Sequence, residues 1–123
     1  MAHRPRSHSW QEIRGFYEEF AQEPDWQIEP MIELVRFISE SPYASGLFPY
    51  TSHTDLHIGR ASGFACGDSE LTIVYDQNEK TFKFTYQQRE DDVKPWSTEC
   101  GAEDGRKKLE HILHKRLRWF HEG

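Results

Sequence analysis

Apolar and polar positions alternate most regularly between residues 71 and 87. Leu71, Ile73 and Tyr75 alternate with Thr72, Val74 and Asp76; after a polar break, Phe82, Phe84 and Tyr86 alternate with Thr81, Lys83 and Thr85. Each run reads as a strand with one apolar face. A two-residue loop at Asn78-Glu79, or a four-residue loop from Gln77 to Lys80, pairs Tyr75 with Phe82, Ile73 with Phe84 and Leu71 with Tyr86. A slip of one residue would set three aromatics against the polar face, so the pattern resists it.

The flanking sequence supplies three helices. Ser9-Trp10-Gln11-Glu12 forms a capping box, and Trp10, Ile13, Tyr17 and Phe20, with Phe16 beside them, continue as an apolar stripe that Pro24 ends. Gly15 weakens this helix by up to about 1 kcal/mol relative to Ala, so packing must hold it. A second helix takes Pro30 in its first turn, turns Met31, Leu34, Val35 and Ile38 inward with Ile32 and Phe37 at the margins, and stops at Ser41-Pro42. The third, from about 103 to 120, carries Leu109, Ile112, Leu113, Leu117 and Phe120 on one stripe, with Gly105 an early weak point.

Two shorter strands complete the pattern. Thr54, Leu56 and Ile58 alternate with His53, Asp55 and His57 over about 53–60; Trp96, Thr98 and Cys100 share one face of a strand at 95–100, with Pro95 favouring an edge. Residues 41–52 resist assignment: two prolines and a glycine forbid a helix, yet Tyr43, Leu47, Phe48 and Tyr50 are too apolar for an ordinary solvent loop. The order predicts an α+β fold over residues 9–123, behind a disordered basic tail at 1–8. This is a two-layer sandwich: an antiparallel meander of about four strands, with two N-terminal helices and one C-terminal helix on one face. Thr72, Val74, Lys83 and Thr85 make the second face too polar to bury under helices, so it is expected to stay largely open.

Composition narrows the class. Hydrophobic residues are 36% of the 123, yet aromatics are 14%, which fits a folded domain with bulky packing. No apolar run approaches the roughly 20 residues that span a bilayer, and the N-terminus leads into no apolar signal segment. The expectation is a cytoplasmic protein in which Cys66 and Cys100 are free thiols; their spacing matches no zinc or redox motif. The net charge is −6, and residues 9–40 hold eight acids against only Arg14 and Arg36. Such a body repels nucleic acid and anionic membrane.

Candidate chemistry is sparse. His53, Asp55 and His57 would project together from one strand face as metal-ligand types, but residues two apart on a strand are about 6.6 Å apart, and all three also suit the solvent face of an amphipathic strand. His111 and His114 lie among Lys107, Lys108, Lys115 and Arg118, which disfavours a cation. Cys66 in its Gly-rich loop has no base at a fixed spacing. Phosphate loops, dinucleotide fingerprints and nucleophile elbows are absent, so no cofactor is expected. The reading is therefore a binding or regulatory domain for a basic protein partner. Glu18, Glu19 and Glu33 supply its field, and Tyr43, Phe48 and Tyr50 its apolar anchors. Its rivals are a small-molecule or metal-assisted site at His53, Asp55 and His57, and a homodimer joined through sheet faces or edges.

Overall fold

The computed structural model describes residues 9–52, 54–60, 70–87 and 95–120. It shows an α+β sandwich: helices α1 (Trp10–Phe20), α2 (Glu29–Ser39) and α3 (Gly105–His111) lie on one face of a five-stranded antiparallel sheet. The strands are β1 (Phe48–Ser52), β2 (Asp55–Gly59), β3 (Glu70–Asp76), β4 (Thr81–Gln87) and β5 (Trp96–Gly101), in that spatial order. The expected tail at 1–8 lies outside the described residues.

The central hairpin has the register its alternation dictates: Leu71 lies opposite Tyr86, Ile73 opposite Phe84 and Tyr75 opposite Phe82. Its loop is the four-residue one. Asp76 Oδ1 accepts from the amides of Asn78 (2.9 Å) and Glu79 (3.1 Å), and Lys80 closes the turn at φ 56°. Leu71, Ile73, Phe82 and Phe84 are buried against Ile13, Tyr17, Leu34, Val35, Ile38, Leu109 and Ile112 in one apolar cluster.

Both N-terminal helices begin as their sequences require. Ser9 and Glu12 exchange the two capping-box hydrogen bonds, and Pro30 occupies the first turn of α2, where no amide is needed. Two long-range bonds pin α1 to the sheet. Trp10 Nε1 donates to the Leu47 carbonyl (3.0 Å) and Tyr17 Oη donates to the Thr54 carbonyl (2.9 Å).

Burial, reinforced by the Asp55 charge, pushes the Tyr17 phenol well above its ordinary value. The folded protein thus keeps this proton where the unfolded chain loses it, above a pH of about 10. Stability from this group is intact below that pH and falls above it by up to about 1.4 kcal/mol per pH unit. Tyr17→Phe is expected to flatten the alkaline limb of a stability–pH profile while losing the Thr54 bond at neutral pH; urea denaturation from pH 8 to 11.5 checks both, on a range bracketing the ordinary tyrosine value of about 10.

Two expectations are corrected. The sheet has five strands, not about four: Phe48–Ser52, in the stretch left unassigned, pairs with β2 from Phe48–Gly59 to Ser52–Asp55. Pro49 removes a ladder donor, which only an edge strand tolerates, and β1 is that edge. The last helix is also shorter than expected. After α3 the chain widens into a π turn (Ile112–Arg116), and Arg118 turns left-handed at φ 55°. The Trp119 and Phe120 amides then bond back to the Leu113 carbonyl at 2.9 and 3.3 Å, closing the end of the widened turn. Phe120 accordingly leaves the helical stripe and folds over the 3₁₀ turn Pro42–Ser45, where its ring edge faces Tyr43 at 4.9 Å.

Candidate functional site

The outer side of α1 and α2 carries the acidic field. Arg14 and Arg36 are both engaged: Arg14 reaches Glu18 (4.0 Å) and Glu40 (3.8 Å), and Arg36 reaches Glu18 (4.0 Å). Glu18 is therefore shared between two guanidinium groups. Glu19, Glu23 and Glu33 are exposed, and among the described residues no base lies within ion-pair distance of them. The linker between the helices holds Trp26, 37% exposed and the one exposed large apolar side chain among the described residues. Its ring leans edge-on against Phe20 at 4.8 Å. The linker is tethered to the hairpin turn by the Gln27 amide donating to Gln77 Oε1 (2.8 Å) and Gln77 Nε2 donating to the Asp25 carbonyl (3.2 Å). Trp26 was missed as an anchor because an isolated tryptophan between helices carries no periodic signal.

The aromatic stretch splits between two environments. Tyr43 and Phe48 are half-buried, whereas Tyr50 is only 4% exposed and presents no ring to a partner. Tyr43 belongs to the helical side. His114 Nδ1 donates to the Phe120 carbonyl (3.1 Å), so its Nε2 accepts from the Tyr43 hydroxyl at 2.6 Å. Thus His114, read from sequence as part of a solvated basic face, is a half-buried connector instead. Between α2 and α3, Phe37, Pro42, Tyr43, Glu110, His114 and Phe120 line a groove of about 380 Å³.

Tyr50 lies on the other face of the sheet, in a compact polar cluster. Its hydroxyl donates to Glu70 Oε2 (3.1 Å), and its ring stacks on His57 at 4.6 Å with 11° between planes. His57 Nδ1 lies 2.9 Å from the same carboxylate oxygen and 3.1 Å from Thr72 Oγ1. A carboxylate oxygen accepts, so Nδ1 donates to Glu70. Glu70 is 4% exposed, and at this end the second face is not the open polar surface expected from β3 and β4. Sequence reasoning missed Glu70. It shares a face with Thr72 by simple alternation, but its partnership with His57 needs the β2–β3 register, Ile58 to Leu71 and His57 to Thr72.

Two of the three metal candidates, Asp55 and His57, lie on β2. His53 lies outside the described residues, His57 Nδ1 is held by Glu70, and Asp55 lies close enough to Tyr17 to raise its phenol. Among the described residues no three His, Cys, Asp or Glu side chains could hold a metal ion. Cys66 is outside the described residues too, and burial pushes the Cys100 thiol up, away from a reactive thiolate. No described helix is long and apolar enough to cross a membrane. No model of a known protein family matches the chain, and no curated protein and no solved structure is significantly similar to it.

Proposed function

We propose that this chain is a protein-binding domain whose acidic α1–α2 face recruits a basic partner. The observation that carries this reading is the exposed set Glu19, Glu23 and Glu33, which has no ion-pair partner among the described residues, beside Arg14 and Arg36 that lie within ion-pair distance of Glu18 and Glu40. Uncompensated charge of one sign on one surface speeds encounter with the opposite sign and selects against like-charged partners. Charge alone does not hold a complex, and Trp26 offers the exposed ring that can be desolvated on contact. Tyr43 and Phe48 remain candidate rim contacts, while Tyr50 serves the sheet cluster. We place this binding in the cytoplasm, where a free thiol such as that of Cys100 stays reduced.

The triple variant Glu19→Lys, Glu23→Lys, Glu33→Lys tests the reading, since it takes the net charge from −6 to zero. The probe is a fluorescein-labelled peptide of alternating arginine and glycine, with a citrulline–glycine peptide as its uncharged counterpart. The expected result is an on-rate at least about tenfold slower for the arginine peptide, with thermal stability little changed. An unchanged on-rate, or a large fall in stability, assigns the acids to solubility and structure.

The His57–Glu70 pair favours a second reading, a small-molecule or proton-transfer site on the sheet face. A compound bound there should shift the His57 imidazole resonance and lose affinity in His57→Gln.

A further inference from the structure

Phe37 stands on α2 between two depressions that together run along the α2–α3 boundary. On one side is the groove of about 380 Å³ with Tyr43, Phe120 and Glu110; on the other is a hollow of about 260 Å³ that includes Glu33, Glu103 and Arg106. The rings meet steeply, Phe37 to Tyr43 at 67° and Tyr43 to Phe120 at 72°, with centroids 6.2 and 4.9 Å apart. Rings set this way form the walls of an open box, whereas parallel rings would fill the space. Tyr43 is fixed in place through His114, and Phe120 by its fold-back over Gly46, where an added Cβ would lie 3.1 Å from the ring. Among the described residues, three carboxylates, Glu33, Glu103 and Glu110, edge the two depressions against one cation, Arg106.

That cation shows what the surface accepts. The Arg106 guanidinium sits 4.3 Å over the centre of Phe37, and its Nε lies 3.3 Å from Glu110 Oε1. A ring beneath and a carboxylate beside is the arrangement that recognises an arginine or lysine side chain. Yet the Arg106 side chain is 68% exposed, so its ion pair is weak and replaceable. We infer that the α2–α3 boundary at Phe37, where the groove and the hollow meet, receives an arginine or lysine side chain of a basic peptide segment, and that Arg106, over the Phe37 ring, is the intramolecular occupant which this side chain displaces.

The inference rests on the protein-binding reading and names where the partner's basic side chain enters. Charge complementarity selects the occupant. Among the described residues, and apart from Arg106, the fixed charges edging the two depressions are carboxylates, which oppose a phosphate or an acidic peptide. A peptide lying over Phe37 would also exclude the water that now weakens the cation–ring contact.

The test is anisotropy of the labelled arginine–glycine peptide against five folded variants, each checked by circular dichroism. Arg106→Gln is expected to tighten binding roughly two- to fivefold, the factor that an exposed cation–ring or ion-pair contact represents. Lys107→Gln makes the same charge change on an exposed position outside the groove, and is expected to tighten it less. Glu110→Gln and Phe37→Leu are expected to weaken binding by a similar factor, and Glu110→Gln still decides the matter if Phe37→Leu folds poorly. If Arg106→Gln and Glu110→Gln are both silent while Glu19→Lys weakens binding, the peptide docks on the helical face; the groove is then wrong and the partner class stands. If the arginine peptide binds no better than its citrulline counterpart, both readings fall.

Discussion

Phe84→Ala is expected to cost roughly 3–5 kcal/mol, near the whole stability of a domain of this size. Phe84 is fully buried at the middle of β4, opposite Ile73 on β3 and Thr98 on β5. Its ring packs 6.1 Å from that of Phe82, which is 1% exposed. Truncation removes the transfer energy of the ring and leaves a cavity that five hydrogen-bonded strands cannot collapse around. Urea denaturation measures it. A loss of about 1 kcal/mol or less would mean that the helices do not bear on the sheet centre.

The same substitution at two glycines is expected to act with opposite signs. Gly105 opens α3, and a Cβ there would lie 2.6 and 2.7 Å from the buried Phe82 ring. Helix propensity favours Ala over Gly by about 1 kcal/mol, but an overpacked core costs about 1–3 kcal/mol, because Phe82 is held between Tyr75 and Phe84 and has nowhere to go. Gly105→Ala should therefore destabilise, and Gly105→Val should destabilise further. Gly15 is exposed in α1, with nothing within 4 Å of its added Cβ, so Gly15→Ala should raise stability by about 0.5–1 kcal/mol. Paired melting curves decide the signs. Stabilisation by Gly105→Ala would contradict the packing of α3 on β4.

Sequence alone gives Gly15 and Gly105 the same description, as weak points in helices. What separates them is a contact across 23 residues, from Gly105 to Phe82, which no local pattern encodes. Legibility follows that rule throughout. The β3–β4 hairpin, the Ser9 capping box and the Pro30 start of α2 were readable because each depends on neighbours within a few residues. Strand β1 was not, since Pro49 argues against a strand until the edge position is known. The end of the last helix was misjudged because Arg118 takes a left-handed conformation that sequence assigns to glycine or asparagine.

The candidate sites divide the same way. The acidic excess over residues 9–40 is a property of composition and needs no fold. Which acids lack a partner among the described residues does need it, since Glu18 is shared by Arg14 and Arg36 while Glu19, Glu23 and Glu33 have no described base within ion-pair distance. Tyr50 illustrates the opposite failure. Its apolar neighbours suggested an exposed anchor, but strand pairing places it against His57 and over Glu70. Neither the Glu70 cluster nor the Phe37 groove has a linear signature, because each joins elements far apart in the chain.

Recruitment of a basic partner by the acidic helical face is tested most directly by the salt dependence of association. Stopped-flow rates for the labelled arginine–glycine peptide would be followed from about 10 to about 150 mM salt, as the screening length falls from about 30 to about 8 Å. The account predicts a rate that drops at least about tenfold over that range for the arginine peptide, a much shallower drop for the triple lysine variant, and no dependence for the citrulline peptide. A rate for the wild-type chain that is flat across the range, or that falls no more steeply than that of the triple variant, would contradict it.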